Sequence, residues 1–300
     1  MSKPLLSICI PTKNHSEELC NTLESIVKST IFKNTEKIEI VIADNCSNDN
    51  TREVVENFRN LYGGKINYVR NQKDLYGSLN YEVALKAANG VMRKLHNSYF
   101  YFAPGAVDLL VDLVENFAAK KPVIFYTNGE KNSEAEDLFQ CNSIDQFVSK
   151  VSFMSTWIGG FFVWEEDLLG IRDFNRNIES GISHTEFLLR VISNKNIVVV
   201  LNKKLMQTQR NWPRGGYNIA QIFGENYLGI LNKYVDSNEL SLNVFEVEKK
   251  RVLLEHILPY YFSGFHKFGD ENILKFLGNY EKDEYFYMAM IYGLRQSSGN

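Results

Sequence analysis

The stretch Leu5-Leu6-Ser7-Ile8-Cys9-Ile10-Pro11-Thr12-Lys13-Asn14 sets the reading of the whole chain. Leu5 to Ile10 is a short apolar run closed by Pro11, and it is too short for a buried helix. From His15 to Lys28, Leu19, Leu23, Ile26 and Val27 recur at helical spacing. Asn14 followed by Glu17 supplies a helix start signal. The order is strand, turn, helix, and it repeats. Ile38 to Ala43 forms a second strand that stops at Asp44, before the polar turn Asn45 to Asn50. Thr51 then opens a helix with Val54, Val55 and Phe58 on one face.

Ile66 to Val69 gives a third strand, Tyr76 to Ala88 a helix, and Val91 to Leu95 a fourth strand. Strands alternating with helices through short connections predict a doubly wound, mainly parallel α/β sheet. Ligands of such sheets sit beyond the carboxyl ends of the strands. Here those ends carry Pro11 to Asn14, Asp44 to Asn50 and His96 to Ser98. A helix over Gly105 to Ala118, a strand over Pro122 to Tyr126 and a surface insertion over Asn128 to Asp137 follow. A strand over Ile158 to Trp164, a helix over His184 to Ile192 and a strand over Ile197 to Leu201 are expected to complete the same sheet. From Tyr217 onward the spacing is helical and rich in aromatics. The expected division is an α/β domain over 1–215 and an appended helical C-terminal region over 216–300.

Composition narrows the function. With 44% hydrophobic and 23% charged residues in 300, the chain has the makeup of a folded globular protein. A net charge of −3 argues against a broad grip on nucleic acid. The four cysteines, Cys9, Cys20, Cys46 and Cys141, form no CxxC pair, which argues against a zinc site and for a reducing compartment. No signal peptide or spanning segment is visible, so a cytoplasmic location, with the inner membrane face as a variant, is expected.

The runs Leu6 to Asn14 and Ile40 to Thr51 resemble the opening of family 2 glycosyltransferases of GT-A fold. That family ends its first strand in a Pro-Thr-x-Asn-type turn and its second in an Asp-Asn-x-Ser-x-Asp-x-Thr-type loop. The resemblance extends over roughly Leu5 to Leu205, with Asn80, Asn89-Gly90 and Pro104-Gly105-Ala106 also in family-like positions. It implies transfer of a sugar, with inversion, from a nucleoside diphosphate sugar, most simply a UDP-sugar. The acceptor would be a glycan or lipid-linked molecule of surface polysaccharide synthesis. A sugar-nucleotide-binding module without catalysis and a nucleotidyl or phospho-sugar transferase are the alternatives; peripheral membrane contact and homo-oligomer formation stay open.

Site candidates follow from the residues and the resemblance together. A carboxylate at a strand end can accept hydrogen bonds from a base edge or ribose hydroxyls. Asp44 is the choice for that role, set against a purely local Asx-type turn. Pro11, Thr12, Asn14, Asn45, Asn80, His96 and Asn97 complete the donor candidates. The departure from the family lies at Lys94-Leu95-His96-Asn97-Ser98-Tyr99: no Asp or Glu occurs between Glu82 and Asp108. The usual Asp-x-Asp metal ligands are absent, so no metal-ligating residue is assigned. Dependence on Mg or Mn is left open as weak coordination through donor and water. Arg210 and Arg214, beside Gly215-Gly216, are candidates to neutralise the departing diphosphate instead. By the resemblance, a base belongs at the start of the helix after the glycine-rich strand. His184 and Glu186 are the two residues there, with His184 favoured. Trp157 with Gly159 and Gly160 is the candidate sugar platform on the acceptor side.

Overall fold

The computed structural model describes residues 3–130, 136–209, 218–262, 280–287 and 291. Its first half runs β1 (Leu6–Thr12), α1 (Ser16–Val27), α2 (Thr30–Asn34), β2 (Ile38–Asp44), α3 (Thr51–Tyr62), β3 (Ile66–Arg70), α4 (Gly77–Ala87), β4 (Met92–Leu95), β5 (Phe100–Phe102) and α5 (Ala106–Phe117). There follow β6 (Val123–Tyr126), β7 (Leu138–Cys141), α6 (Ile144–Val151), β8 (Phe162–Trp164), α7 (Glu165–Gly170), α8 (Ser183–Lys195), β9 (Val198–Leu201) and β10 (Met206–Thr208). The C-terminal part is helical: a π-helical stretch Ala220–Tyr227, α9 (Leu228–Asp236), α10 (Leu242–Arg251), a second π-helical stretch Val252–Ile257, and α11 (Leu258–Phe262).

The central sheet has the order β3-β2-β1-β4-β8. Its first four strands are parallel, and β8 closes the edge antiparallel to β4. Every residue of β1 and β2 is buried, because helices cover both faces. This is why those strands read as continuous apolar runs rather than alternating ones. The β1 ladder continues past Ile10 through Pro11 and Thr12, which pair with Ala43 and Asp44.

Three expectations are corrected. The later strands do not complete one sheet: β6, β9 and β7 form a separate three-stranded sheet, and a bridge between Phe125 and Phe161 links β6 to the segment before β8. The segment expected as a strand from Ile158 begins instead as a 3-10 turn, Ile158–Gly160, and only Phe162–Trp164 is strand. Finally, Asn14 does not cap α1. It takes a left-handed conformation at φ 53 and its side chain accepts from the Asn48 amide, while Asp49 reaches across from the next loop to accept from the Ser16 amide.

At the far, N-terminal end of the sheet, buried Glu39 accepts from the Ser7 hydroxyl at 2.6 Å and the Gly90 amide at 3.0 Å. A Cβ at Gly90 would collide with the Ser7 hydroxyl, so this staple requires glycine. One apolar core, including Phe125, Phe161 and Phe187, continues into Phe223, Tyr227, Leu231 and Leu253. The C-terminal helices thus share a core with the α/β part across residue 216. Among the described residues no helix is long and apolar enough to cross a membrane.

Candidate active site at the carboxyl edge of the sheet

The ends of β1, β2 and β4 lie side by side because their parallel register places Thr12 opposite Asp44 and Cys9 opposite Leu95. Asp44 is fully buried. One carboxylate oxygen accepts from the Ser47 amide at 2.8 Å, which is the Asx-type turn; the other accepts from the Tyr68 hydroxyl at 2.7 Å and lies 3.3 Å from Arg70 Nε. Burial, then the Asp44 contact, pushes the Tyr68 phenol well above its ordinary range, so Tyr68 stays a donor. Tyr68 and Arg70 escaped sequence reading, although both follow from β3 pairing with β2, where Tyr68 stands opposite Ile42 and Arg70 opposite Asp44.

Asn45 and Asn80 are occupied within the protein. Asn45 accepts from the Leu75 amide and donates to Asp74, and Asn80 donates to the Ala43 carbonyl and accepts from Asn71. With the Lys13–Asp74 ion pair, these bonds fasten the segment 71–76 beside the strand ends. They build a wall and present no free polar atom of Asn80 to a ligand.

Five buried polar atoms around this edge have no partner: Thr12 Oγ1, Ser78 Oγ, His96 Nδ1, Asn97 Oδ1 and His184 Nδ1. Buried polar groups are otherwise nearly always satisfied, so such atoms mark where a ligand or water completes the structure. Thr12 ends β1, Ser78 lies in the first turn of α4, and Asn97 follows β4. His184 opens α8 and meets the Tyr81 ring of α4 edge-on at 5.6 Å. Ser78 was not anticipated; nothing in Gly77-Ser78 distinguishes it from an ordinary helix start.

His184 Nε2 sits 2.8 Å from the Thr156 carbonyl oxygen. A carbonyl only accepts, so Nε2 carries the hydrogen and the Nδ1 lone pair is left free. Burial pushes the imidazole down to about 4, which keeps it neutral near pH 7. Glu186 is separated from it. Two residues along a helix turn the side chain by about 200°, and Glu186 faces Arg190 Nη2 at 3.0 Å and Arg176 Nε at 3.8 Å. Burial, the largest influence, raises the Glu186 carboxyl despite those arginines. The two candidates for the base therefore have different surroundings, His184 beside the Thr156 carbonyl and Glu186 beside Arg190 and Arg176.

The glycine pair lies close to other groups of the protein. A Cβ on Gly159 would strike the Trp157 ring, and one on Gly160 would strike the Tyr126 carbonyl oxygen and the Phe125 ring. The close approach they allow is thus to the protein's own groups. Trp157 packs against Phe100 and Tyr126, with ring centroids 5.5 and 5.9 Å away, and is only half-buried. Gly159 adjoins Asn97: its Cβ would lie 3.0 Å from Asn97 Oδ1.

The residues after β4 do not fit a protein-held divalent ion. His96 is fully buried and stacked on Phe102 at 4.5 Å, with Nε2 committed to the Phe100 carbonyl at 2.8 Å. Ser98 is engaged with His15. Only Asn97 offers an oxygen, and a neutral amide alone does not retain a hard cation. Among the described residues no group of three His, Cys, Asp or Glu is arranged to hold a metal. Arg210 and Arg214 lie outside the described residues. A groove of about 570 Å³ runs along the flank between α1 and α5, lined by Asn21, Glu24, Lys28, Tyr101 and Asp108. Its polar groups pair among themselves or with the neighbouring backbone, as in Lys28–Glu24, Asn21–Gln209 and Asp108 with the Ile31 amide.

A parallel sheet whose carboxyl edge carries a buried Asp and unsatisfied polar atoms has the layout in which open α/β sheets place their ligands. Comparison with known proteins narrows the class. Residues 7–119 match the family model Glycosyl transferase family 2. Over 86 residues the chain is 41% identical to the abequosyltransferase RfbV of Salmonella typhimurium, covering 29% of this chain and 25% of that protein. Over 84 residues it is 34% identical to the poly(ribitol-phosphate) beta-N-acetylglucosaminyltransferase TarS of Staphylococcus aureus, covering 28% of this chain and 14% of TarS. The matched stretches thus span a quarter or less of these curated relatives. Among solved structures, S. aureus TarS 1–349 in complex with UDP-GlcNAc superposes with a TM-score of 0.60 at 18% identity, covering 95% of this chain and 81% of that one. The mannosyltransferase PcManGT of Pyrobaculum calidifontis, in complex with GDP-Man and Mn2+, gives 0.55 at 12% identity, covering 99% and 87%. Residues 7–119 thus match the family 2 glycosyltransferase model, and the chain shares its fold with these solved glycosyltransferases.

Proposed function

We propose that this protein transfers a sugar from a nucleoside diphosphate sugar, a UDP-sugar by preference, to a glycan or lipid-linked acceptor in surface polysaccharide synthesis. The observation that carries the reading is the set of unsatisfied buried atoms, Thr12 Oγ1, Ser78 Oγ, His96 Nδ1, Asn97 Oδ1 and His184 Nδ1, gathered around the carboxyl edge of a sheet that matches the family 2 model. The two relatives named above are an abequosyltransferase and an N-acetylglucosaminyltransferase, and TarS has been seen with UDP-GlcNAc.

In this reading the nucleoside lies over Thr12 and Asp44, and the diphosphate lies against Asn97. The acceptor hydroxyl approaches from the side of Trp157 and His184. His184 Nδ1 accepts the hydroxyl proton as the acceptor oxygen attacks the anomeric carbon, and the nucleoside diphosphate departs from the opposite face, giving inversion. The imidazolium that forms is stabilised by Nε2–H donated to the Thr156 carbonyl. Glu186 shapes the helix and takes no part. Calorimetric titration of UDP into wild type, Thr12→Val and Asn97→Ala tests the donor half of this reading. Both variants should bind at least about threefold more weakly, one lost hydrogen bond each; equal affinities would remove the donor from this edge.

A further inference from the structure

Lys94 sits two residues before the end-of-strand loop and is 0% exposed. Its ammonium group lies among three aromatic rings, 5.2 Å from the Phe162 centroid, 5.7 Å from Tyr126 and 6.0 Å from Phe102. It donates to the Leu95 carbonyl at 3.0 Å and to the Gly159 carbonyl at 2.7 Å. Burying an ammonium without a carboxylate is costly, and a lysine at such a place is held there by what its charge and bonds accomplish. The two carbonyls begin and line the two segments that meet at the site, His96 to Ser98 and Trp157 to Gly160.

We infer that Lys94 is a positioning residue for the diphosphate of the donor, working from beneath the site. It draws the oxygens of Leu95 and Gly159 inward, so that neither carbonyl points its negative end at the phosphates. It also supplies positive charge behind the Asn97–Gly159 wall, where no carboxylate-bound cation is available to do so. The inference rests on the donor reading given above.

The groups around Lys94 sharpen the argument. On β1, Cys9 is held as a thiol, since burial pushes it far above the ordinary range. On β4, burial and then Lys94 itself hold His96 well below its ordinary value, hence neutral. On β6, burial raises Tyr126, which remains a phenol and donates to Asn128. None of them bears a negative charge near neutral pH, so the charge of Lys94 is not cancelled locally. Burial pushes the ammonium itself down to about 7, and an anion bound above would favour its protonated form. In a medium of effective dielectric near 20, a charge within about 8 Å of a diphosphate is worth roughly a factor of ten or more in affinity.

The test compares UDP with uridine on wild type, Lys94→Met, Lys94→Gln and Lys94→Arg, each confirmed folded by circular dichroism. UDP affinity should fall about tenfold in the Met and Gln variants, uridine affinity should stay within about twofold, and Arg should restore part of the loss. A merely structural lysine would lower both ligands together, and that result, or unchanged UDP binding, overturns the inference. If the Met and Gln variants do not fold, 15N resonances of the lysine ammonium groups in wild type decide. The Lys94 signal should shift on adding UDP and not on adding uridine, and no shift with saturating UDP sinks the idea. Failure of wild type to bind UDP or any other nucleoside diphosphate would instead defeat the donor reading itself.

Discussion

His184 and Glu186 stand two residues apart on α8 and serve opposite faces of it: one imidazole nitrogen bonds the Thr156 carbonyl, while the carboxylate faces Arg190 and Arg176. Their roles should therefore separate in mutants. His184→Gln is expected to lower kcat by at least about 100-fold with little change in donor affinity, the range for loss of a general base. Glu186→Gln should retain turnover within a few-fold and lose about 1–3 kcal/mol of stability, because Arg190 loses its charged partner. Steady-state rates with urea melts on both variants check this, and the reverse pattern would make Glu186 the base.

Burial holds His184 and His256 down to about 4, below the ordinary value near 6.5. Between those values the unfolded chain binds more protons than the folded one, so stability rises with pH in that window. Wild type should accordingly be most stable above about pH 6.5 and lose stability as pH falls toward 4. His184→Gln should show a shallower loss. Thermal melts at half-unit pH steps measure both curves, and parallel curves would show that His184 titrates normally.

Asp44 has both a structural and a proposed binding role, since Ser47, Tyr68 and Arg70 all converge on it. Tyr68→Phe removes one bond to the carboxylate and should cost about 1 kcal/mol of stability while changing UDP affinity less than about threefold. Asp44→Asn should weaken UDP at least about tenfold, as loss of a charged acceptor does. Calorimetry on both separates the roles, and equal UDP losses in the two variants would make the whole effect structural.

Much of this was legible from local pattern. The buried runs of β1 and β2 and their polar ends could be read because both sheet faces are covered and the period-two alternation vanishes. The second sheet was not legible, since β7 is only Leu138–Cys141, follows a polar stretch, and gains its meaning from Val198 to Leu201 some sixty residues on. Nor could the chain show that Asp49 caps α1 across 33 positions, or that Gly159 lies against the Trp157 ring. These are tertiary relationships with no periodic trace. Lys94 is hidden for the same reason: its aromatic cage is assembled from β4, β5, β6 and β8.

The donor set after β4, with His96 Nε2 committed to Phe100 and His96 Nδ1 and Asn97 Oδ1 without partners, contains no carboxylate to hold a hard divalent ion. Exhaustive chelation should accordingly leave UDP affinity within about twofold, since no protein carboxylate is there to link the metal and the nucleotide. Titration of UDP with and without a chelator checks this, and a tenfold or greater loss restored by manganese would reveal ligands beyond those considered.

The central claim is transfer of a sugar with loss of a nucleoside diphosphate, and the direct measurement follows both products in one reaction. Wild type incubated with a panel of UDP-sugars and lipid-linked or glycan acceptors, with product mass and released nucleotide quantified together, should yield one glycosylated acceptor per UDP released. His184→Gln should abolish both signals while still binding UDP. Release of pyrophosphate instead of UDP, or UDP-sugar binding with no acceptor product from any pair, would contradict the assignment of this site to sugar transfer.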